Sequence, residues 1–290
     1  MLSGAYSVLH GAPAIVSAVD RFAIADSARR PTFIGDEVRA AFGDAPIPFS
    51  DASALRDEET KLGLGSSAAV LVASLAAALG SRDESEEVMR RRLQPLALSA
   101  HRVAQGGGSG IDVACSVWGG TLIARRDGEA LELTACPLPR ELVVEVWASG
   151  TSASTSQLLA HVRRLGEEQP GLHDALLSTL SRAADATATA LRGSHTRRVI
   201  EGLRAQNDGF VELGRAARVP IVTVEVKRLA ELAAERGAAV LPSGAGGGDI
   251  HLWVGFEPSD PAFRSRSRAC GHFRVDLRLQ APGVQLQPPG

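Results

Sequence analysis

Three glycine-rich segments carry the residues of this 290-residue chain that could do chemistry. The first reads KLGLGSSAA from Lys61 to Ala69 and leads into an apolar, alanine-rich stretch. Glycines let the backbone approach a ligand and take positive φ, and the free N–H groups at a helix start attract anions. The segment therefore predicts a phosphate-binding loop, although a capped helix after a flexible loop has the same pattern. The common G-x-x-x-x-G-K-[ST] nucleotide loop does not occur in the chain.

The other two glycine-rich segments each end in an aspartate. QGGGSGID, residues 105–112, places Asp112 directly after a loop almost without side chains. PSGAGGGD, residues 242–249, ends in Asp249 and precedes the strand-like run Ile250–Val254. An aspartate after glycines can simply cap a turn. Apolar runs on both sides argue against solvated linkers, and three such loops together predict that the backbone wraps one polyphosphate.

In order and spacing these segments resemble the three motifs of the GHMP kinases, the superfamily of galactokinase, homoserine kinase, mevalonate kinase and phosphomevalonate kinase. Residues 4–14 and 19–21 resemble motif one, residues 63–69 motif two and residues 243–249 motif three. The chain most resembles phosphomevalonate kinase, because His101 stands where mevalonate kinases carry a magnesium-binding glutamate. Residues 147–155 and 242–249 are also close to segments of phosphomevalonate kinases.

The mixed order of predicted strands and helices favours the α+β class. The resemblance implies the GHMP kinase fold, with a ribosomal-protein-S5-like N-terminal domain at 1–139 and a ferredoxin-like C-terminal domain at 140–290. ATP and substrate would bind between them. The predicted strands are Leu2–His10, Ala14–Ile24, Val117–Arg125, Ala130–Thr134, Leu142–Ala148, Ile250–Val254 and Phe273–Leu279. The predicted helices are Ala68–Leu79, Glu84–Gln105 with a kink or break at Pro95, Thr155–Arg164, Leu172–Leu191, Thr196–Ala217 and Val226–Arg236.

The resemblance implies ATP and Mg²⁺ as cofactors and assigns roles at motif two and at Asp112. The ATP phosphates would lie against Gly63, Leu64, Gly65, Ser66, Ser67 and Ala68. Ser67 would ligate Mg²⁺, with Ser66 as the second choice. Asp112 matches the family's catalytic aspartate. Lys61 is the second predicted catalytic residue, because a cation just before the loop can offset the charge of two phosphate anions. Helix capping by the serines, a turn cap at Asp112 and a solvated Lys61 are the structural alternatives.

Substrate binding is predicted for several short polar segments, from the resemblance and from the anion-binding chemistry of a helix start. Phosphomevalonate is a phosphate monoester whose second pKa is about 6, so its attacking oxygen is already ionised near neutral pH. Cations and N–H donors then matter more than a strong base. The predicted substrate-binding residues are His101, Ser109, Gly110, Ser152, Ser154, Thr155, Ser243, Gly244, Ala245 and Gly246. A structural histidine at 101, helix capping at 152–155 and a loop-shaping Asp249 remain open alternatives.

The leading functional prediction is phosphoryl transfer from ATP to phosphomevalonate, giving diphosphomevalonate and ADP in the mevalonate route to isoprenoids. The alternatives are a mevalonate or other small-alcohol kinase, and a nucleotide-binding regulatory protein without turnover. A dinucleotide-dependent dehydrogenase carries little weight, because its fingerprint needs a preceding strand. Family members carry a Pro-Gly-Lys segment before the strand that starts here at Met1, and Ala5 stands where relatives commonly have glutamate. We therefore expect Met1 to be an internal residue taken as the start.

Composition bounds the remaining possibilities. A net charge of −2 gives no electrostatic case for binding nucleic acid or an anionic membrane, and no apolar run is long enough to cross a bilayer. The cysteines Cys115, Cys136 and Cys270 lie far apart and are read as reduced thiols. The sequence predicts a cytoplasmic enzyme, monomeric or homodimeric, with a small-molecule substrate.

Overall fold

The computed structural model describes residues 1–57, 60–128, 130–150, 154–248 and 250–287. These residues group into two compact units that alternate along the chain. The first unit contains Met1–Ile15 and Ile123–Leu277, and the second contains Val16–Leu122 and Arg278–Gly290. The expected division between residues 139 and 140 concerns family domains and stays a prediction.

Helices and strands alternate irregularly, as expected for the α+β class. The helices are α1 (Asp36–Phe42), α2 (Ser66–Leu79), α3 (Glu86–Gln105), α4 (Ile111–Trp118), α5 (Thr155–Glu168), α6 (Pro170–Arg192), α7 (Thr196–Ala217), α8 (Val224–Glu235) and α9 (Pro261–Ala269). The strands are β1 (Ala14–Ser17), β2 (Ile24–Asp26), β3 (Phe49–Asp51), β4 (Arg56–Asp57), β5 (Thr60–Lys61), β6 (Thr121–Asp127), β7 (Ala130–Ala135), β8 (Val143–Ser149), β9 (Ala239–Pro242), β10 (Ile250–Gly255) and β11 (His272–Val275). Strands β1, β6 and β7 form one sheet in the order β1-β6-β7. Within the described residues, no helix combines the length and hydropathy needed to cross a membrane.

The first unit is built on an antiparallel sheet in the order β11-β8-β10-β9. The register places Leu252 of β10 opposite Val146 of β8 and Leu241 of β9. On one face, Trp147 and Trp253 both meet Phe263 of α9 edge-on, with ring centroids 5.5 and 4.6 Å away. Such pairs add to the hydrophobic burial of the rings and fix their orientation. This cluster, completed by apolar residues of α8, holds both helices on the sheet.

Helices α6 and α7 of the first unit pack closely because α7 carries glycine at two contact positions. A Cβ on Gly202 would lie 2.3 Å from the Thr187 hydroxyl, and a Cβ on Gly209 would lie 2.6 Å from the Leu180 side chain. Both distances are shorter than van der Waals contact. The two glycines therefore set how near the helix axes approach.

The second unit is mainly helical and includes a late segment of the chain. Helix α3 packs against α1, α2 and α4, and it continues without a break through Pro95, where a kink or break was predicted. Residues 278–287 return to this unit along its early part. The Arg278 N–H bonds the Asp20 carboxylate at 2.8 Å, and the Val284 N–H bonds the Ser116 carbonyl at 3.0 Å. The same segment is bound at Gly120, whose N–H donates to the Ala281 carbonyl at 2.8 Å.

The prediction of a strand over Leu2–His10 is wrong. Only Ser3 forms a bridge, to Ile15, and Ser7–His10 is a 3₁₀-helix. The backbone leaves the extended region at Gly4 (φ 91°) and at Tyr6 (φ 63°), so no strand continues across them.

Three further strand predictions differ from the structure, and two helices were not predicted. The strand predicted over Ala14–Ile24 ends at Ser17, and the next strand is β2. Helix α4 runs on to Trp118, so β6 begins later than predicted. Strand β11 stops at Val275 because Arg278 and Leu279 pair instead with the segment 19–20. Helices α1 and α9 lie where no helix was expected, whereas the predicted bounds of α7 are confirmed.

Candidate active site

The predicted phosphate loop of the second unit has the backbone geometry of an anion-binding helix start. Gly63 (φ 63°) and Gly65 (φ 76°) both adopt left-handed conformations, which side chains other than hydrogen disfavour. Helix α2 begins at Ser66 with Gly65 as its N-cap, and its first helical bond runs from Ala69 N–H to the Gly65 carbonyl. The N–H groups of the first turn precede that bond, so they have no intrahelical acceptor.

Serine capping does not account for this sequence. The N-cap residue of α2 is Gly65, and no side chain of the described residues caps this helix start. Ser66 and Ser67 instead occupy the first turn, where both are partly exposed. Their hydroxyls can therefore face a ligand at the helix start, and their predicted roles on phosphate and Mg²⁺ stay predictions.

Asp112 lies beside this loop. A Cβ built on Gly65 would lie 3.6 Å from the Asp112 Cβ. The glycine backbone and the Asp112 side chain are therefore close neighbours. Asp112 is in the first turn of α4, and its Oδ1 accepts a hydrogen bond from the Val113 N–H at 3.0 Å. This bond agrees with the turn-cap alternative, but the side chain is still 43% exposed. The carboxylate is thus accessible to a ligand bound at the α2 start.

His101 approaches the same aspartate from α3. Its Nε2 lies 3.9 Å from the Asp112 Oδ1, and its side chain is only 9% exposed. Within the described residues, its Nδ1 has no hydrogen-bond partner. Buried polar atoms are normally satisfied. His101 thus has one ring nitrogen, Nε2, near the accessible Asp112 carboxylate and the other, Nδ1, without a partner among the described residues.

The glycine loop between α3 and α4 brings these two residues together. Gly106, the C-cap of α3, is left-handed, and Gly110 is the left-handed N-cap of α4. Gly108 (φ 137°) lies against the imidazole, where a Cβ would stand 3.1 Å from His101 Nε2. The predicted residues Ser109 and Gly110 therefore lie directly ahead of the α4 start, in the same unit as Gly65 and Asp112.

The predicted Mg²⁺ is better explained as an ion that binds together with the nucleotide phosphates than as one held by protein side chains alone. The described ranges contain no group of three or more His, Cys, Asp or Glu side chains that could hold a metal ion. Mg²⁺ prefers oxygen ligands and is commonly held by one or two carboxylates plus substrate phosphates. Asp112 and the Ser67 hydroxyl are oxygen donors of this kind. Lys61 lies in β5, and its side chain is outside what the structure describes.

The third motif forms a loop in the first unit that takes its shape from glycine. Gly244, Gly246, Gly247 and Gly248 have φ of 80°, 83°, 81° and 121°. A Cβ on Gly246 would stand 2.2 Å from the Ile221 carbonyl oxygen, so no larger residue fits there without displacement. Asp249 lies outside the described residues.

Hydrogen bonds from distant segments hold this loop, residues 243–248. The Ser243 hydroxyl donates to the Met1 carbonyl at 2.9 Å, and the Tyr6 hydroxyl donates to the Ala245 carbonyl at 2.6 Å. The Ser149 hydroxyl donates to the Gly248 carbonyl, and the Gly247 N–H donates to the Ile221 carbonyl at 2.9 Å. Substrate contact by Ser243, Gly244, Ala245 and Gly246 stays a prediction.

The predicted substrate segment before α5 is only partly described. Ser154 is the N-cap of α5 and accepts a hydrogen bond from the Gln157 N–H at 3.4 Å. This is the capping arrangement considered as an alternative for Ser154. Thr155 is the first residue of the helix, and Ser152 lies outside the described residues.

Cys115 is not a reactive residue although it lies one turn after Asp112 on α4. Burial raises the pKa of its thiol to about 11, and the nearby Asp112 charge acts in the same direction. The thiol therefore stays protonated at neutral pH. Cys136 and Cys270 are also free, as predicted for reduced thiols.

Sequence reasoning missed the residues that hold the 243–248 loop. Tyr6 is the chain's single tyrosine, and it sits in an otherwise apolar segment, which was the one available signal. Ser149 and Gln206 carry no local signal. Gln206, on α7, is buried and accepts a hydrogen bond from the Gly4 N–H at 2.8 Å.

Comparison with protein families gives a match at the phosphate loop. Residues 46–120 match the family model of the GHMP kinases N terminal domain, a range that includes the α2 start, His101 and Asp112. The chain is 30% identical over 230 residues to a phosphomevalonate kinase of Streptomyces sp. (strain CL190), covering 71% of this chain and 60% of that protein. It is 32% identical over 195 residues to a mevalonate kinase of Pyrococcus abyssi, covering 64% of this chain and 53% of that protein. The matched stretches thus span less than two thirds of either relative.

Solved structures share the fold along nearly the whole chain. The Lin0012 protein from Listeria innocua superposes with a TM-score of 0.82 at 21% identity, covering 96% of this chain and 94% of that one. Streptococcus pneumoniae phosphomevalonate kinase in complex with phosphomevalonate and AMPPNP superposes with a TM-score of 0.69 at 17% identity, covering 96% of each chain. At these identities the likeness concerns the fold alone.

Proposed function

Because the chain belongs to the GHMP kinase superfamily, we propose that it is an ATP- and Mg²⁺-dependent phosphomevalonate kinase. It would transfer the γ-phosphoryl group of ATP to phosphomevalonate, giving diphosphomevalonate and ADP in the mevalonate route to isoprenoids. The observation that carries this proposal is the α2 helix start with Asp112 beside it, 3.6 Å from a Cβ at Gly65.

Phosphoryl transfer requires mainly positioning and stabilisation of charge on the moving group. The first-turn N–H groups and the hydroxyls of Ser66 and Ser67 would hold the ATP phosphates. Asp112 and Ser67 would hold Mg²⁺, which, when bound, neutralises charge on those phosphates. A phosphate oxygen of the acceptor bonds to the γ-phosphorus while the bond from that phosphorus to the ADP oxygen breaks.

The acceptor decides what Asp112 has to do. The phosphate oxygen of phosphomevalonate is already ionised near neutral pH, since the second pKa of a phosphate monoester is about 6. Asp112 then needs to accept no proton, and its charge can serve Mg²⁺ alone. Neighbouring His101, buried and 3.9 Å from the carboxylate, can donate a hydrogen bond to an anionic acceptor. A glutamate at that position would instead repel a second phosphate.

A mevalonate kinase is the second candidate, and the 32% identity to the Pyrococcus abyssi enzyme favours it. Mevalonate attacks through an alcohol, whose proton must be removed as the new bond forms. Asp112 is accessible enough to take that proton. Under this alternative His101 would only orient Asp112.

The two candidates are separated by measuring ADP release with phosphomevalonate and with mevalonate as sole acceptors. We expect turnover with phosphomevalonate and a product whose ³¹P spectrum shows a new phosphoanhydride. Turnover with mevalonate alone would reject our proposal in favour of the second candidate. ATP binding without turnover on either acceptor would reject both.

Neighbouring serines provide a matched pair for testing the metal assignment. Ser66 and Ser67 lie in the same helical turn and are both partly exposed. We expect Ser67→Ala to raise the Mg²⁺ concentration needed for half-maximal activity, and Ser66→Ala to change it much less. Equal Mg²⁺ dependence in the two variants would contradict the assignment of Ser67.

A further inference from the structure

The 243–248 loop has no regular secondary structure of its own, yet it takes a defined path. Four of its six residues are glycines with φ between 80° and 121°. Glycine loses more conformational freedom on ordering than any other residue, so this sequence would sample many conformations if nothing else held it. Contacts from outside the loop must therefore fix its shape.

Side-chain hydroxyls supply part of that restraint by binding the loop's carbonyl groups. Tyr6 donates to the Ala245 carbonyl at 2.6 Å, near the middle of the loop, and Ser149 donates to the Gly248 carbonyl at its end. The opposite side rests on Ile221, whose carbonyl accepts the Gly247 N–H. The Ser243 N–H is also used, in a bond to the Ile250 carbonyl. An anion would therefore bind to the N–H groups of the residues between Ser243 and Gly247.

Tyr6 is itself held rigidly, in a conformation that costs free energy. Its backbone has φ 63° and ψ −55°, which is rare for a residue with a side chain. Its ring is buried and meets Phe210 of α7 edge-on at 6.0 Å. Strained residues persist only where their surroundings over-determine them, and they cluster at functional sites.

A second contact with α7 completes this support. Gln206 accepts the Gly4 N–H at 2.8 Å, and its amide donates to the Ser3 hydroxyl at 2.8 Å and to the Thr187 hydroxyl of α6 at 3.1 Å. The segment before Tyr6 is thereby fixed to two long helices. Burial also raises the pKa of the Tyr6 hydroxyl well above its usual value, so the group remains a donor over the working pH range.

We propose that Tyr6 is a positioning residue, which transmits the rigid frame of α6 and α7 to the 243–248 loop through the Ala245 carbonyl. The inference rests on the proposed function in one respect, namely that this loop binds the phosphorylated acceptor. Tyr6 acts on the acceptor only through the loop.

The first test measures the loop without any substrate. Tyr6→Phe removes the hydroxyl and keeps the ring against Phe210. We expect amide hydrogen exchange of peptides covering 243–248 to quicken about tenfold, the factor for one buried hydrogen bond. Exchange in α7 should stay unchanged. Ser267→Ala, which removes a buried hydroxyl from α9 in the same unit, serves as the control and should leave exchange of the loop unchanged.

The second test separates positioning from general destabilisation. In Tyr6→Phe we expect KM for phosphomevalonate to rise about tenfold, with KM for ATP unchanged and kcat altered less than twofold. Ser149→Ala should act in the same direction. Unchanged exchange of the loop in Tyr6→Phe overturns the inference whether or not the protein has kinase activity, and so does an equal rise in KM for both substrates. Faster exchange in a protein that turns over neither acceptor upholds the inference and rejects the proposed function.

Discussion

His251 places an imidazole in the interior of the first unit's sheet. It is 1% exposed, stacks on Trp147 at 6.4 Å with 17° between the ring planes, and lies 4.8 Å from the His272 ring. Neither of its ring nitrogens has a hydrogen-bond partner among the described residues. Burial, reinforced by the His272 charge, lowers the pKa of His251 from 6.5 to about 3.

This shift makes the stability of the protein depend on pH. Between about pH 6.5 and pH 3 the unfolded chain binds a proton at His251 that the folded chain does not, so stability falls as the pH falls. The slope is about 1.4 kcal/mol per pH unit, or about 2 kcal/mol lost by pH 5. Burial also lowers the pKa of His272, opposed by the Glu225 charge, so this residue adds to the same slope. Glu145 and Arg274 lie on the same face of the sheet as His251 and form an ion pair, with 3.4 Å between the Arg274 nitrogen and the Glu145 oxygen.

In the window from about pH 6.5 to pH 5, we expect the buried histidines to dominate the pH dependence of stability. Burial raises the pKa of Asp208, so this carboxyl opposes the effect of the histidines as the pH falls. The carboxyl pKa values of Asp20, Glu225 and Asp260 are lowered by hydrogen bonds from backbone N–H groups, so these residues lose their contribution only at lower pH. Urea unfolding followed by far-ultraviolet circular dichroism at several pH values in this window gives the slope directly.

His251→Phe tests the origin of that slope, because it keeps a ring against Trp147 and removes the titrating group. We expect the dependence on pH to drop by about 1.4 kcal/mol per pH unit, whatever the variant's stability at neutral pH. His161→Gln removes an exposed histidine of α5 and should retain the full slope. A wild-type slope in His251→Phe would refute the reasoning.

Three further predictions concern Asp112 and the two loops, 63–66 and 243–248. Gly65→Ala places a Cβ at φ 76° and 3.6 Å from Asp112; we expect about 1 kcal/mol lower stability by thermal unfolding and weaker ATP binding by calorimetry, and unaltered ATP affinity would contradict the loop's assignment. Asp112→Asn should lower kcat about 100-fold while ATP still binds, and a rate within twofold of wild type would exclude both charge stabilisation and proton removal by this residue. Gly246→Ala places a Cβ 2.2 Å from the Ile221 carbonyl oxygen at φ 83°, and we expect a loss of about 2–3 kcal/mol in urea unfolding. Gly244→Ala shares the positive φ, but its added Cβ meets no atom within 4 Å, so it measures the backbone strain alone and should lose only about 1 kcal/mol.

The backbone conformation of the predicted phosphate loop could be inferred from the sequence because it depends on neighbouring residues. Glycines at 63 and 65 and an apolar helical stretch after them predict a left-handed turn into a helix start, and the structure has both. The N-cap residue of α2 could not be predicted, since a serine and a left-handed glycine can each occupy that position. The α9 start did carry a local signal, an aspartate cap followed by Pro261, which the strand-rich surroundings obscured.

The hydrogen bonds that support the 243–248 loop could not be predicted from the sequence, because they join segments far apart in the chain. Tyr6 and Ala245 are 239 positions apart, and Ser3 and Gln206 are 203 apart. Composition and periodicity describe neighbours, so they contain no information on such pairs. The error at residues 2–10 has the same origin: the apolar run predicted a strand, and the positive φ of Tyr6 is maintained by its burial and by its contact with Phe210.

Residues 278–287 complete the unit that contains the phosphate loop, and this ordering constrains how the protein folds during synthesis. After residues 1–15, the ribosome produces 16–122 and then all of 123–277 before the hydrogen bonds of Arg278, Ala281 and Val284 can form. Domains commonly fold as units while the chain emerges. We therefore expect the second unit to lack its hydrogen-bond partners at Asp20, Ser116 and Gly120 until residues 123–277 of the first unit have been translated.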